Sequence, residues 1–204
     1  MDLDQLRDLF INHSRGCNVI GIGSGRTMLM FSKVLADDKT YVSTSLQTDI
    51  FLGNKKVNFC GNVEKIDVYF DGVDYYNKKG DLIKGCGGAI VLEKLLYNMS
   101  DKTVILAQKN KYRESFEGLK VPVVIMKESY GYFMSKIKDC KVTGVLRKIR
   151  GFSPYVTDQG HIIVDVEFFE EFAERIPLIA GVVEHGYFKS PKKSIIIEIL
   201  GTLE

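Results

Sequence analysis

The sequence predicts an α/β protein, in which a Rossmann-like parallel sheet domain is accompanied by a second, smaller ferredoxin-like α+β domain. Short β-branched runs alternate with helical apolar patterns over the first two-thirds of the chain, which is typical of a parallel sheet covered by helices. From Val121 the order becomes β-α-β-β-α-β, that of a split βαβ domain. A final apolar run at 194–200 is left over, and we expect it to return to the first sheet.

The elements of the first domain follow from the spacing of apolar residues. Leu6, Leu9 and Phe10 recur at helical spacing and open the chain with a helix. The same reasoning along the chain predicts strands at 17–22, 40–43, 66–70 and 103–107, and helices at 4–13, 25–35, 46–51 and 88–97.

The second domain is predicted in the same way. Its expected strands are 121–126, 142–147, 161–167 and 182–188, and its expected helices are 129–138 and 168–175. The predicted domains are therefore a catalytic α/β domain of residues 1–121 plus 190–204 and a small β-α-β-β-α-β domain of residues 122–189.

Composition excludes several classes of protein. The net charge is only +2 and the lysine pairs at 55–56, 78–79 and 192–193 are isolated, so no nucleic-acid partner is expected. No apolar run exceeds strand length and the N-terminus lacks a signal-peptide pattern, so we expect no membrane partner and a cytoplasmic location. The four cysteines form no C-x-x-C pair and the three histidines are dispersed, so no metal site is expected.

Polar segments follow all four predicted strands of the first domain. They are residues 21–27, 43–48, 71–74 and 108–111. Because ligands bind outside the carboxyl ends of strands in open parallel sheets, we expect these segments to share one edge of the sheet. Four such segments indicate a polar ligand with a charged group.

The segment Gly21-Ile22-Gly23-Ser24-Gly25-Arg26-Thr27 fits neither of two common nucleotide-binding patterns. It lacks the third glycine of G-x-G-x-x-G and the Gly-Lys-Ser/Thr of a P-loop. Its hydroxyl groups and backbone N–H groups at a helix N-terminus can cradle a phosphate. The segment also fits a tight turn in which Thr27 merely caps the helix, and the segment alone leaves both interpretations open.

Four charged residues form the second candidate constellation. Asp71 and Asp74 end a predicted strand, Lys84 precedes a glycine-rich turn, and Glu93 lies on the following predicted helix. Carboxylates gathered near one lysine can have shifted pKa values and take part in acid–base chemistry. Each residue alone also fits an ordinary role as a turn cap, a surface charge or an ion-pair partner.

Together these segments resemble the type A ribose-5-phosphate isomerases. The sequence D-G-V-D at 71–74, K-G-C-G-G-A at 84–89 and E-K at 93–94 is similar to that family's D-G-A-D, K-G-G-G-A and E-K core. Residues 19–27, 156–160 and 181–188 resemble its V-x-G-x-G-T-G-S-T, V-T-D-N-G and G-V-V-E-H-G-L-F segments. All of them occur in the family's order with similar separations, which makes the set highly specific.

The resemblance implies an aldose-ketose isomerase that interconverts D-ribose 5-phosphate and D-ribulose 5-phosphate through an enediol, in the non-oxidative branch of the pentose phosphate pathway. It implies no metal or organic cofactor, and a homodimer or homotetramer. Glu93 would be the catalytic base, and Asp71 would serve ring opening and hydroxyl proton transfer. Asp74 would bind a substrate hydroxyl and Lys84 would stabilise the developing oxyanion. Binding of substrate or phosphate is expected at Gly23, Ser24, Gly25, Arg26, Thr27, Thr48, Gly85, Gly87, Gly88 and Lys111.

Several residues depart from the family pattern without removing a catalytic carboxylate or the lysine: Arg26, Cys86, Gln108, Asn110 and Gln159. Arg26 adds a cation that either helps to bind phosphate or points to solvent. The alternative function is a non-catalytic sugar-phosphate sensor on the same fold. Such a sensor would keep the phosphate loop but could lose Glu93 or Lys84, and both are present here.

Overall fold

The structure is a computed structural model that describes residues 2–58, 60–190 and 194–200. The lysine pair at 192–193 lies outside the described residues. The chain divides into two compact units, the first formed by the described parts of 1–73, 92–112 and 190–204, and the second by 74–91 and 113–189.

The strands are β1 Val19–Ile22, β2 Thr40–Ser43, β3 Lys56–Asn58, β4 Ile66–Gly72, β5 Tyr75–Tyr76, β6 Leu82–Ile83, β7 Ser100–Gln108, β8 Lys120–Ile125, β9 Gly144–Leu146, β10 Lys148–Ile149, β11 Ser153–Pro154, β12 Ile162–Glu167, β13 Val182–His185, β14 Tyr187–Phe188 and β15 Ser194–Leu200. The α-helices are α1 Leu3–Ser14, α2 Gly25–Ser32, α3 Leu46–Leu52, α4 Ile90–Met99, α5 Tyr130–Asp139 and α6 Phe172–Arg175. In the described part of the chain, no helix has both the length and the apolar character needed to cross a membrane.

The first unit contains a six-stranded parallel sheet, with the strand order β15-β7-β4-β1-β2-β3. Because all neighbours run parallel, the carboxyl ends of β1, β2, β4 and β7 lie at one edge, as predicted. The last strand returns to this sheet beside β7. The predicted Rossmann-like parallel sheet is confirmed.

Aromatic packing holds α1 and α2 against this sheet. The ring centroid of Phe31 on α2 lies 4.9 Å from that of Phe70 on β4 and 5.9 Å from that of Phe10 on α1. All three side chains are buried. The helix that follows the β1 loop is therefore fixed by apolar burial on the face away from solvent.

The second unit contains a four-stranded antiparallel sheet with the order β13-β8-β12-β9. Counted within the unit's β-α-β-β-α-β succession this order is 4-1-3-2, which confirms the ferredoxin-like prediction. Helices α5 and α6 pack on the sheet through Phe133, Phe172 and a cluster of valines and isoleucines.

Two further small sheets explain where the predicted boundaries differ from the structure. Strands β5 and β6 form a three-stranded sheet with β14, in the order β14-β6-β5, so residues 74–91 belong to the second unit. Residues 113–121, which were predicted in the first domain, belong to the second unit as well. A hairpin of β10 and β11 lies in a segment for which no element is predicted. Strands of two residues are too short to show an alternating pattern, so the sequence carries no signal for them.

Two of the differences from the predicted elements have a clear local reason. The strand predicted at 182–188 is two strands, separated at Gly186, where a Cβ would lie 2.1 Å from the carbonyl oxygen of Lys84. The helix predicted at 168–175 begins only at Phe172. The N–H of Phe168 donates to the carbonyl of Leu119 at 2.9 Å, so that residue continues the extended chain after β12.

We expect Phe31→Ala to lower the free energy of unfolding by about 3–5 kcal/mol, because it removes a fully buried ring from the packing of α2 against β4. Leu29→Ala, on the exposed face of the same helix, should change it by less than about 1 kcal/mol. Urea denaturation followed by circular dichroism measures both. Equal losses in the two variants would contradict the packing described here.

Candidate active site

Asp71 is the next-to-last residue of β4 and lies directly beside the loop that follows β1. The N–H of Gly23 donates to the carbonyl of Phe70 at 2.8 Å and so continues the pairing of the two strands. A Cβ at position 23 would lie 1.9 Å from Cγ of Asp71. A glycine is therefore required at position 23 because the buried carboxylate of Asp71 occupies the space of a side chain.

Tyr69 holds the carboxylate of Asp71 by a hydrogen bond. This residue was not identified from the sequence. It precedes Asp71 by two residues on β4, so the two side chains share a face of the strand. The Tyr69 hydroxyl donates to Oδ2 of Asp71, and the N–H of Gly72 donates to Oδ1 at 2.7 Å. The alternation of side chains along a strand could have identified Tyr69 from the sequence, because it places residues 69 and 71 on one face.

Burial, reinforced by the nearby carboxylates of Asp71 and Glu93, raises the pKa of Tyr69 well above its usual value. The phenol therefore stays protonated and acts as a neutral donor. A Cβ at Gly21 would lie 2.9 Å from the Tyr69 ring, so this glycine makes room for the tyrosine. The two glycines of the G-x-G pattern thus accommodate Tyr69 and Asp71.

Glu93 lies in the first turn of α4 and is buried. The hydroxyl of Ser24 donates to its Oε1 at 2.8 Å. Ser24 is the N-cap residue of α2, yet its side chain makes no capping hydrogen bond with the helix. The loop after β1 and the proposed base on α4 are therefore connected directly by one hydrogen bond.

The N-terminus of α2 has the features of an anion site. Thr27 is the third residue of the helix and not its N-cap residue, so the structure does not support the interpretation of Thr27 as the cap. The first turn contains no acidic residue, and Arg26 is exposed there. The positive end of the helix dipole and the N–H groups of residues 25–27 can bind a phosphate at this point.

Thr48 and Lys111 lie in the same unit. Thr48 is buried on α3, and its hydroxyl donates to the carbonyl of Gly23 at 2.9 Å, so it holds the β1 loop in place. Lys111 ends a 3-10 turn, Lys109–Lys111, that follows β7 at the carboxyl edge of the sheet. Their roles in binding substrate stay predictions.

The remaining predicted residues lie in the second unit, around a turn of residues 85–88 that we call the glycine turn. The N–H of Gly88 donates to the carbonyl of Gly85 at 3.0 Å and closes the turn, and both residues have the positive φ that favours glycine. Oδ2 of Asp74 accepts a hydrogen bond from the N–H of Cys86 at 2.9 Å. Lys84 is buried just before the turn, and its N–H donates to the carbonyl of Gly186 at 2.8 Å.

A cysteine fits in this turn where the family pattern has a glycine. Cys86 does not adopt a positive φ, so a side chain causes no backbone strain there. Cys86 is exposed as a residue, but neighbouring groups partly remove its sulfur from water. This desolvation, together with the charge of Asp74 and a hydrogen bond to it, raises the pKa of the thiol to about 11. The thiol is therefore protonated at neutral pH and is not a nucleophile for the proposed chemistry.

Two other side chains contact the glycine turn and were also missed. Arg147 Nη1 donates to the carbonyl of Gly85 at 2.7 Å, and the hydroxyl of Tyr155 donates to that of Gly87 at 2.8 Å. Tyr155 directly precedes the V-T-D-Q-G segment, but nothing in the sequence connects Arg147 with residues 62 positions earlier. Such contacts are set by the pairing of β9 with β12, which no local pattern reveals.

His185 is a packing residue of the second unit. Its Nδ1 accepts the N–H of Tyr187 at 3.3 Å, and its ring centroid lies 5.5 Å from that of Phe172. Among the described residues, no group of three or more His, Cys, Asp or Glu side chains could hold a metal ion. The expectation of a metal-free site stays a prediction, which the chelator assay proposed below tests.

We expect Gly23→Ala to lower the free energy of unfolding by about 1–3 kcal/mol, because its methyl group would displace the carboxylate of Asp71. Gly72→Ala is the matched control, since a Cβ there lies 3.6 Å from its nearest neighbour, in ordinary contact. The control should change the same quantity by less than about 1 kcal/mol in urea denaturation. A tolerated alanine at position 23 would contradict the close approach.

We expect the thiol of Cys86 to be alkylated by iodoacetamide at pH 8 about a hundredfold more slowly than an unperturbed thiol, because its raised pKa leaves little thiolate. Mass spectrometry of the peptide containing residue 86 measures the rate, with a free-cysteine peptide as the reference. In Asp74→Asn the rate should rise, since the variant removes the negative charge that opposes ionisation. Fast alkylation of the unmodified chain would contradict this environment.

Comparisons with known proteins agree with this description. The model of the ribose 5-phosphate isomerase A (phosphoriboisomerase A) family matches residues 40–199. The ribose-5-phosphate isomerase A of Archaeoglobus fulgidus is 33% identical over 186 residues, which cover 83% of this chain and 82% of that protein. The corresponding protein of Picrophilus torridus is 30% identical over 181 residues, covering 83% of this chain and 81% of its own.

Solved structures extend the comparison to the fold. The ribose 5-phosphate isomerase A of Neisseria gonorrhoeae is 28% identical and has a TM-score of 0.80, covering 96% of this chain and 93% of its own. That of Methanocaldococcus jannaschii, at 24% identity and a TM-score of 0.84, has the same fold over 96% of this chain and 92% of its own. The resemblance noted in the sequence is confirmed: the chain belongs to the ribose 5-phosphate isomerase A family.

Proposed function

We propose that this protein interconverts D-ribose 5-phosphate and D-ribulose 5-phosphate by moving a proton between C1 and C2 through an enediol. The observation that carries the proposal is the linked set at the carboxyl edge of the first sheet, in which Ser24 binds Glu93 and Gly23 packs against Asp71. Membership of the family supports the same reaction. One solved D-ribose-5-phosphate isomerase of the same fold is described in complex with phospho-erythronic acid, a phosphorylated sugar acid.

Glu93 is proposed as the base that removes and returns the proton. C1 and C2 are adjacent, so one carboxylate placed over both carbons can serve both steps of the reaction. Its burial on α4 excludes water from the carboxylate, and the hydroxyl of Ser24 fixes the position of Oε1. A fixed base is effective because the proton transfer then needs no rearrangement of the protein.

Asp71 is proposed as the group that opens the sugar ring and moves the hydroxyl proton. Tyr69 and the N–H of Gly72 each donate to one of its oxygens, which fixes the plane of the carboxylate. Because the phenol of Tyr69 stays neutral, it serves as a fixed hydrogen-bond donor to the carboxylate.

The phosphate is proposed to bind at the N-terminus of α2, with help from Arg26 and Thr27. Binding energy from this remote, non-reacting group can orient C1 and C2. The hydrogen bond of Ser24 to Glu93 connects the phosphate loop to the base, so the loop that binds one end of the substrate also positions the group that acts on the other.

Lys84 and amides of the glycine turn are proposed to stabilise the negative oxygen of the enediolate, and Asp74 to bind a substrate hydroxyl. These roles rest on the family resemblance. Preorganised donors of this kind commonly contribute about 3 kcal/mol each to the transition state.

Assembly and compartment belong to the proposal as well. We expect a homodimer or homotetramer in the cytoplasm, without nucleic-acid or membrane partners. The family resemblance supports the assembly, and the small net charge of +2 gives no reason to expect a polyanionic partner.

We expect the wild-type protein to isomerise ribose 5-phosphate in the presence of a chelator, and Glu93→Gln to lower kcat by at least about a hundredfold while sugar phosphate still binds. Coupled spectrophotometric assay measures the rate, and calorimetry measures binding. Glu64→Gln, an exposed residue of the same unit, is the control and should leave kcat unchanged.

Equal rates in the wild type and Glu93→Gln would remove Glu93 from its role. Binding of ribose 5-phosphate by the wild type without turnover would instead support the alternative of a sugar-phosphate sensor. Loss of turnover with chelator, restored by a divalent cation, would contradict the metal-free mechanism.

A further inference from the structure

Three consecutive carbonyl groups of the glycine turn accept hydrogen bonds from side chains of the same unit. Arg147 Nη1 donates to the carbonyl of Gly85 at 2.7 Å and to that of Cys86 at 3.2 Å. The hydroxyl of Tyr155 donates to the carbonyl of Gly87 at 2.8 Å. These contacts draw the carbonyl side of the turn towards the segment that follows β9.

The opposite side of the turn therefore presents N–H groups. A trans peptide group points its C=O and the next N–H in opposite directions. The N–H of Cys86 is directed to the carboxylate of Asp74, and that of Gly88 to the carbonyl of Gly85. The N–H of Gly87 donates to no acceptor in the part of the chain that the structure describes. Gly87 is also exposed. On the N–H side of the glycine turn, the N–H of Gly87 is therefore available to a ligand.

Arg147 is itself held rigidly. Its Nε donates to Oδ2 of Asp165 at 3.0 Å and its Nη2 donates to Oδ1, so one edge of the guanidinium group forms a bidentate pair. Its backbone N–H donates to the carbonyl of Ile163 at 2.8 Å. Asp165 and Ile163 both belong to β12, so the sheet anchors the backbone of Arg147 and the edge of its guanidinium group that contains Nε and Nη2. Nη1 remains free to bind the carbonyl groups of the glycine turn.

Tyr155 is coupled to the same arrangement. Its backbone N–H donates to the carbonyl of Arg147 at 2.9 Å. A Cβ at position 88 would lie 2.4 Å from the Tyr155 hydroxyl oxygen, so the turn packs closely against this ring. Displacing either side chain would free the peptide groups of the turn to rotate.

We propose that Arg147, oriented by Asp165, and Tyr155 are positioning residues for the isomerisation. They hold the glycine turn so that the N–H of Gly87 faces the oxygen on which negative charge develops in the enediolate. Because Arg147 is a cation bonded to the carbonyl of the same peptide group, it also polarises that N–H and strengthens it as a donor. The inference rests on the proposed function, since it assigns a part in that reaction.

The test compares Arg147→Met with Lys148→Met, an exposed neighbour on β10. In Arg147→Met we expect kcat with ribose 5-phosphate to fall about tenfold to a hundredfold, because the amide loses its fixed direction. KM should change by less than about threefold, because ground-state binding is retained. Affinity for phospho-erythronic acid, whose carboxylate carries the negative charge that the enediolate acquires, should fall with kcat. Lys148→Met should match the wild type in all three quantities.

Two further variants separate positioning from folding. Tyr155→Phe removes only one hydroxyl group and should lower kcat in the same direction with an unchanged melting temperature. Arg147→Ala enlarges a cavity of about 590 Å³ that Arg147 and Asp165 line. Millimolar guanidinium should therefore enter and restore part of the lost kcat in Arg147→Ala, and it should leave Tyr155→Phe unaffected.

The outcomes distinguish this inference from the proposed function. A wild-type protein that does not isomerise ribose 5-phosphate overturns the function itself. If the wild type is active and Tyr155→Phe and Arg147→Met keep kcat within about twofold, the positioning role is wrong and the function stands. Equal losses of kcat and of ribose 5-phosphate affinity, without rescue by guanidinium, would also overturn the positioning role.

Discussion

The buried carboxylate of Asp71 is the constraint on which the first unit's site depends. A carboxylate removed from water is costly unless donors surround it, and here Tyr69 and the N–H of Gly72 provide them. The carboxylate also needs space, which Gly23 supplies by having no side chain. These requirements fix the path of the chain after β1, and that path sets where α2 begins. Ser24 thereby comes within hydrogen-bonding distance of Glu93.

The second unit solves a related problem in another way. The glycine turn would be a mobile element if its carbonyl groups faced only water, yet Arg147 and Tyr155 hold three of them. The cost of fixing these peptide groups is offset by the four-stranded sheet, whose strand β12 carries Asp165 and so fixes the guanidinium. Rigid elements thus support a turn that by composition would be flexible, as preorganised donor sites require.

The sequence predicted the architecture well because most strands and helices have a clear local apolar pattern. General topology rules then relate the order of these elements to the type of sheet. The alternation of strands and helices predicted the parallel sheet. The β-α-β-β-α-β succession predicted the ferredoxin-like domain, whose strand order is 4-1-3-2. It failed where the signal was too short, as for β5 and β6, or where contacts depend on tertiary pairing, as for Arg147. Among the candidate residues of the first unit, Ser24 contacts Glu93 and Gly23 packs against Asp71. Thr48 holds Gly23 in place, a role that the polar segment 43–48 did not indicate. Tyr69 was within reach of strand alternation and was overlooked because aromatic residues in strands usually serve the core.

The tyrosine beneath Asp71 has an evolutionary consequence. The ring of Tyr69 would meet any Cβ at position 21 at 2.9 Å, so the first glycine of the loop is required by that ring. A family member with a small residue in place of the tyrosine is released from this steric demand, although it must then find another donor for its aspartate. The dependence runs one way: a side chain at position 21 requires a smaller residue at position 69, whereas glycine at position 21 fits with either.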